Sequence, residues 1–213
     1  MYGYLIISSC APSRFVKPLE KGKYGAGINL GGPLFDFSGM TIPIPFSSIG
    51  GGYGLTENTT IYSNLHTTSL LFGVYMIDAG ITHKVLSQKG YQPAISISPA
   101  LNLSIDQWEG NFKCWPQFDM NSYWNFGKHN NLIYVGVSNM FELASKREDG
   151  LKQKEHWLFS PQLGYTLVRP KMEYGIEVKY IEPFTSHQNL IIEYKSIGNN
   201  GAFGIYLNLL KKF

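Results

Sequence analysis

Histidine, serine and carboxylate side chains are the groups best able to do chemistry in this sequence, and their spacing encodes no recognisable site. The five histidines are His66, His83, His129, His156 and His187. None stands in a His-Glu-x-x-His arrangement and no two lie four residues apart, so no zinc-binding helix face is written into the chain. His156 and Ser160 share one phase of an alternating segment. Four extended residues separate them by about 13 Å, too far for a serine nucleophile to meet its base. His66 with Ser63 or Ser69 fails in the same way or differs in phase. Folding can still bring distant side chains together, but the spacing itself names no metal ligand, catalytic residue or cofactor. The glycine run Gly50, Gly51, Gly52 and Gly54 lacks the Lys and Ser/Thr of a phosphate loop. Strong curvature or a close backbone approach explains it better. Cys10 and Cys114 permit at most one disulfide and are expected to stay unpaired. Cys114 lies on an apolar phase and reads as an inert small hydrophobe.

The elements that must hold these residues follow from composition. Charged residues make up 15% of the 213, against roughly 25% in an average soluble domain. Aromatics also reach 15%, and there are 23 glycines. Mean hydropathy is −0.11. The longest apolar run, Leu70 to Ile77, is interrupted by Gly73 and is far too short for a membrane helix. A net charge of +3, spread along the chain, leaves no basic cluster of the nucleic-acid-binding kind. So many aromatic and β-branched residues argue against disorder.

Alternation with a period of two dominates the sequence. In residues 91–106, Tyr91, Pro93, Ile95, Ile97, Pro99, Leu101, Leu103 and Ile105 face one way. Gln92, Ala94, Ser96, Ser98, Ala100, Asn102, Ser104 and Asp106 face the other. Residues 157–167 and 172–180 repeat the pattern, with Leu158 breaking the polar phase of the first. Weaker strands are expected at 23–31, 45–55, 58–68, 75–85, 112–126, 131–142 and 202–213. Turns at 56–58, 87–90, 127–130 and 169–171 are short. Connections at 32–44, 67–74, 107–111, 143–155 and 183–201 are longer. Residues 64–73 read as a surface loop or a short plug. Long strands joined by alternating short and long connections predict an all-β, antiparallel transmembrane β-barrel of about ten strands over residues 22–213. Counts of eight or twelve remain open, the larger if 189–194 contributes a strand.

The two faces decide which solvent surrounds the barrel. Lipid demands that every backbone polar group be paired inside the protein, which a closed sheet achieves. The polar phase carries Asp78, Lys84, Asp119, Glu173, Glu177 and Lys179 among Gly, Ser, Asn and Gln. These are expected to line the lumen as a polar network, with the nearly charge-free phase against acyl chains. Ten strands enclose a narrow interior that side chains can largely fill. A lipocalin-like barrel with the faces exchanged is the soluble alternative, disfavoured by an exterior so poor in Lys and Glu.

Both ends resemble bacterial envelope proteins. Phe203, Ile205, Leu207, Leu209 and Phe213 alternate, and the chain ends on Phe. This resembles the terminal strand of bacterial outer-membrane β-barrel proteins, departing from it at the outward-phase Lys211. The overall pattern is similar to small barrels of the Bacteroidota type. The resemblance implies bacterial outer-membrane location, contact with outer-membrane lipid, and insertion by the barrel assembly machinery. It implies a structural, adhesion or transport role without catalysis. The alternatives are a narrow pore for small solutes and a lipid-modifying outer-membrane hydrolase. The opening stretch, with apolar Tyr4 to Ile7 and small Ser8 and Ser9 before Cys10, resembles the end of a lipoprotein signal. That implies lipidation of Cys10, with residues 1–21 a signal remnant and tether carrying no fold of their own. It lacks the basic start and the length of a complete signal.

Overall fold

The computed structural model describes residues 15–146, 152–186 and 193–213. Cys10, His187 and the segment 189–192 lie outside the described residues. In chain order the elements are β1 (Tyr24–Phe37), β2 (Met40–Pro43), β3 (Phe46–Thr56), β4 (Thr59–His66), α1 (Thr67–Leu71), β5 (Val74–Leu86) and β6 (Ala94–Asp106). They continue with β7 (Phe112–Phe126), β8 (Asn131–Phe141), β9 (Trp157–Val168), β10 (Met172–Ser186) and β11 (Asn200–Lys212). Each strand from β3 to β10 pairs antiparallel with the strand that follows it, and β1 pairs with both β3 and β11. Leaving aside β2, which pairs with β1 alone, the ring is a closed barrel of ten strands among the described residues.

Closure is direct. The ladder between β1 and β11 runs from Gly25↔Lys212 to Pro33↔Gly204. Tyr24 N–H donates to the Phe213 carbonyl at 3.4 Å, and Phe213 N–H to the Tyr24 carbonyl at 2.9 Å. Both described ends of the barrel therefore sit on the side of the short turns. The other side carries α1, the β1–β2 hairpin and the long connections.

The alternation sorts side chains as a membrane requires. Leu101 is 48% exposed and Ile176 46%, both on the outer surface. Asp78 and Glu177 expose nothing and Lys179 1%. Ile95 and Ile97 also sit on the outward phase. A water-soluble barrel reverses this arrangement, because burying apolar side chains is its main source of stability. An apolar exterior around a polar interior is stable in hydrocarbon, so the chain is a transmembrane barrel.

Three local departures have physical causes. Residues 32–44, expected as a loop, instead prolong β1 and add β2. At Gly31, φ is +141° and the Ile205 carbonyl stands where a Cβ would project, so only glycine can turn the chain there. Tyr91 and Pro93, expected in a strand, precede it, and Tyr91 is fully exposed in the turn. Pro99 does remain in β6, but the β5–β6 pairing lapses between Gly80↔Ala100 and His83↔Ile97, where Pro99 has no N–H to give. The Thr82 and Ser98 hydroxyls bond across that gap at 2.9 Å.

Candidate functional site in the lumen

The lumen has two unlike walls. On β3 to β6, over the half nearer the short turns, the inward residues are mostly small or hydroxylic: Gly50, Gly52, Gly54, Thr60, Thr82, Ser96 and Ser98, with Tyr62 and Lys84 the bulky exceptions. On β7 to β11 they are bulky: Tyr123, Tyr134, Gln162, Glu177, Lys179 and Tyr206. A ring of fixed circumference leaves space beside the small wall, and the chain fills it with its own N-terminal segment.

Residues 15–20, expected as an extended tether, enter the lumen from the short-turn side. Phe15, Val16 and Leu19 are buried. Phe15 and Leu19 pack with Tyr62 and Ala100, and the Phe15 and Tyr62 rings lie 5.8 Å apart. Val16 packs with Ala94, Tyr123, Leu132 and Tyr134. Fully buried hydroxyls of the small wall hold the backbone. Thr82 donates to the Phe15 carbonyl at 2.9 Å and Ser96 to the Val16 carbonyl at 2.6 Å. Leu19 N–H donates to Thr60 Oγ1 at 2.7 Å. The Lys17 ammonium, at the rim, donates to Asn125 Oδ1 at 3.0 Å. The glycine run finds its reason here. A Cβ at Gly52 would strike the Phe15 ring, and one at Gly54 the Glu20 carbonyl.

Beyond the plug, the predicted lumen charges sit among hydrogen-bonding neighbours. Glu177 accepts from the Tyr134 hydroxyl at 2.7 Å and lies 3.7 Å from the Lys179 ammonium. That ammonium lies 5.8 Å from the centre of the Tyr206 ring. Tyr134 can lie across the lumen because Gly164 beneath it has no side chain. Asp78 accepts from Asn64 Nδ2 at 2.8 Å and bonds His66 Nε2 at 2.9 Å. Asp119 accepts from Gln117 Nε2, which also reaches Ser138, while Gln117 Oε1 accepts from Asn102. Glu173 and Lys84 lie lower and are half-buried. Glu173 accepts from Lys212 at 2.9 Å. The low dielectric around such groups makes full pairing a condition of stability.

Apolar contacts finish the far side. Trp115, Met140 and Leu158 form one cluster, so the Leu that broke the polar phase of β9 fills the lumen near its outer mouth. Ile181, Ala202 and Tyr206 form another, covered by Tyr194 from the last long connection. That connection is strapped to the β1–β2 hairpin: Lys195 N–H donates to the Leu34 carbonyl at 2.8 Å, and its ammonium lies 2.6 Å from Asp36.

Other sequence candidates fall in separate places. His156 bonds the Glu142 carbonyl at 2.8 Å, whereas Ser160 is buried and receives the Glu182 N–H at 3.3 Å. Ser63 donates to the Asp78 carbonyl, and Ser69 contacts the Met76 sulfur. Cys114 is a free thiol on the outward phase. Residues 64–73 end β4 and form α1. Among the described residues no three His, Cys, Asp or Glu gather as a metal site. Phe203, Ile205, Leu207, Leu209 and Phe213 all sit on the outward phase of the closing strand and the residue after it. Sequence reasoning missed Glu182, a buried carboxylate at φ +47° whose Oε1 has no hydrogen-bond partner among the described residues. It also missed the plug, whose one signal was the set of small residues on the inward phase of β3 to β6.

No family model matches the chain and no curated protein matches it. Solved structures do. The translocator domain of autotransporter NalP from Neisseria meningitidis is similar with a TM-score of 0.51 at 9% identity, over 93% of this chain and 91% of that one. The COG4313 outer membrane channel from Pseudomonas putida F1 is similar with a TM-score of 0.53 at 9% identity, over 95% and 99%. At such identity the likeness is one of fold: the barrel is of the outer-membrane type.

Proposed function

We propose that the protein is a bacterial outer-membrane barrel of transport type, without catalysis, whose lumen is a narrow conduit for small polar solutes held shut by Phe15–Leu19. The seating of that segment against a wall of glycines and hydroxyls carries the reading. Removing it leaves Thr60, Thr82, Ser96 and Ser98 lining a path that water and small solutes can occupy, while the bulky wall stays in place. Inside the lumen the plug is held by three neutral backbone–hydroxyl bonds, each worth about 1 kcal/mol net, and by apolar contacts, with the Lys17 ammonium bonded to Asn125 at the rim. The transmembrane exterior and the fold shared with an outer-membrane channel support the location. In this reading the Phe203–Phe213 strand is the segment that the barrel assembly machinery engages, and Cys10, if lipidated, tethers the plug's leading end to the membrane.

Single-channel recording in planar bilayers tests the proposal. The full chain is expected to stay silent or open briefly, and a variant lacking residues 1–19 to conduct steadily. Silence in a correctly folded deletion variant overturns the conduit and leaves a structural barrel, a reading that the fully buried Glu177–Lys179 pair favours.

A further inference from the structure

The +3 charge is dispersed along the sequence, but an up-and-down barrel collects every short turn at one end. Exposed cations on that rim include Lys23, Lys89, Lys128, Arg169, Lys171 and Lys211, against Glu20 and Glu57 as exposed carboxylates. Glu173, at the same end, is engaged by Lys212. The rim is therefore strongly basic although no stretch of sequence is.

One part of the rim adjoins a groove. On the outer surface a trough of about 710 Å³ begins at Met172, Lys211 and Phe213 and ends at Leu65 and Ile77. Its floor is low because Ala26 and Ser63 lie on the outward phase, flanked by Ile28, Ile49 and Leu65. The strand register sets its direction. Lys211 pairs with Ala26, Ala26 with Gly51, Gly51 with Ser63, and Ser63 with Ala79. Lys211 is one residue from the end of its strand, whereas Ala79 lies seven residues before the end of β5 at Leu86. The trough thus climbs from the rim into the apolar belt.

The foot of the trough is cationic. Met172 pairs with Lys211, and the Lys212 N–H donates to the Lys171 carbonyl at 2.8 Å, so Lys171 stands opposite Lys212, at the turn one residue beyond the Met172–Lys211 pair. The Lys211 ammonium sits 4.9 Å from the centre of the Phe213 ring. The Tyr24 and Tyr53 rings lie 4.6 Å apart, tilted, on the same level, as an interfacial aromatic pair does. A lysine on a lipid-facing phase is tolerated only near the headgroups, where it meets phosphate.

We propose that this trough seats one anionic glycerophospholipid of the leaflet on the short-turn side, its phosphate between Lys171 and Lys211 and one acyl chain along Ala26 and Ser63. Charge complementarity chooses the occupant: an apolar groove that starts at Lys211, with Lys171 on the adjoining turn, matches an acyl chain that starts at a phosphate. The volume falls within the roughly 300–1,000 Å³ of small-molecule sites. The proposal concerns the exterior and stands apart from conduction through the lumen.

Native mass spectrometry of the full chain, released from detergent with equal phosphatidylglycerol and phosphatidylcholine of matched chains, tests it. Phosphatidylglycerol is expected to be retained preferentially, with the preference falling roughly fivefold for each of Lys171→Gln and Lys211→Gln. Ala26→Phe keeps both cations and fills the trough, so it is expected to reduce retention of phosphatidylglycerol. Heat-modifiable migration in gels checks that each variant is folded. Equal retention of the two lipids by the native chain, or a preference untouched by the lysine substitutions, overturns the proposal. Retention untouched by Ala26→Phe overturns the seat in the trough. Sedimentation with purified cell-wall sacculi that both lysine substitutions abolish, without any lipid preference, assigns the rim to the wall polymer instead.

Discussion

The β3–β6 wall and the β7–β11 wall enclose the same lumen and fill it in opposite ways. Near the short turns the first is made largely of glycines, serines and threonines, and borrows Phe15, Val16 and Leu19 to exclude water. The second is made of Tyr123, Tyr134, Glu177, Lys179 and Tyr206, which meet one another directly. A segment held by neutral bonds to hydroxyls can withdraw and leave those hydroxyls to water. A buried ion pair cannot separate without leaving an unpaired charge in a low dielectric. The difference assigns motion to one wall and rigidity to the other.

The strongest way to break this contrast is Glu177→Ala. It removes the carboxylate 3.7 Å from the buried Lys179 ammonium and the acceptor of the Tyr134 hydroxyl. The expected loss is about 3–5 kcal/mol, read as a fall in the guanidinium unfolding midpoint in detergent. A loss below about 1 kcal/mol means that water already reaches the pair, and the second wall is not rigid. Next in size is the double variant Thr82→Ala, Ser96→Ala, which removes both hydroxyl bonds to the plug carbonyls. At about 1 kcal/mol each, the open fraction in bilayer recordings is expected to rise roughly thirtyfold, with the unfolding midpoint falling far less than in Glu177→Ala although Thr82 also gives up its bond to Ser98. If instead the midpoint drops as far as in Glu177→Ala, the plug is part of the barrel's cooperative core and the contrast between the walls fails.

The same contrast governs what the sequence made legible. Period-two alternation shows where a side chain points, because a one-residue slip inverts every face. That was enough to identify ten strands, the apolar exterior and the inward phase of Glu177, Lys179 and Asp78. It was not enough for Phe15–Leu19, which follow no period and make their hydrogen bonds to hydroxyls 41 to 80 positions away. The strands they touch carried the trace: three inward glycines on β3 and a run of Ser, Thr and Ala on β4 to β6 leave a volume that those strands cannot fill. Gly50, Gly52 and Gly54 suggested a close backbone approach, but not which backbone approaches. Residues 32–44 were opaque for another reason. Gly31 and Gly32 interrupt the alternation, so a strand that continues past them has no visible phase. The basic rim was hidden because topology, not sequence proximity, gathers its lysines.

The smallest expected effect lies at the long-connection end, on the clasp between Asp36 and Lys195. Asp36 is held below the ordinary carboxylate range, first by its hydrogen bond from Lys195 and then by that from Thr41. A carboxyl depressed in the folded state contributes stability above its unfolded value and loses it as pH falls through the folded one. The clasp is therefore intact at neutral pH and is lost only in strong acid. Both groups are exposed, so salt weakens the contact and its share of global stability is minor. Exchange of the Lys195 amide, which donates to the Leu34 carbonyl, reports on it once intrinsic rates are divided out. Asp36→Asn is expected to quicken that exchange a few-fold at pH 7 while leaving the unfolding midpoint in place. In the native chain, protection at Lys195 is expected to persist from pH 7 down to about 4 and to fall below it. Protection that fades nearer neutrality assigns the strap to another group. An exchange rate unmoved by Asp36→Asn shows that the backbone bridge between Phe35 and Tyr194 holds the last connection over the mouth without help from charge.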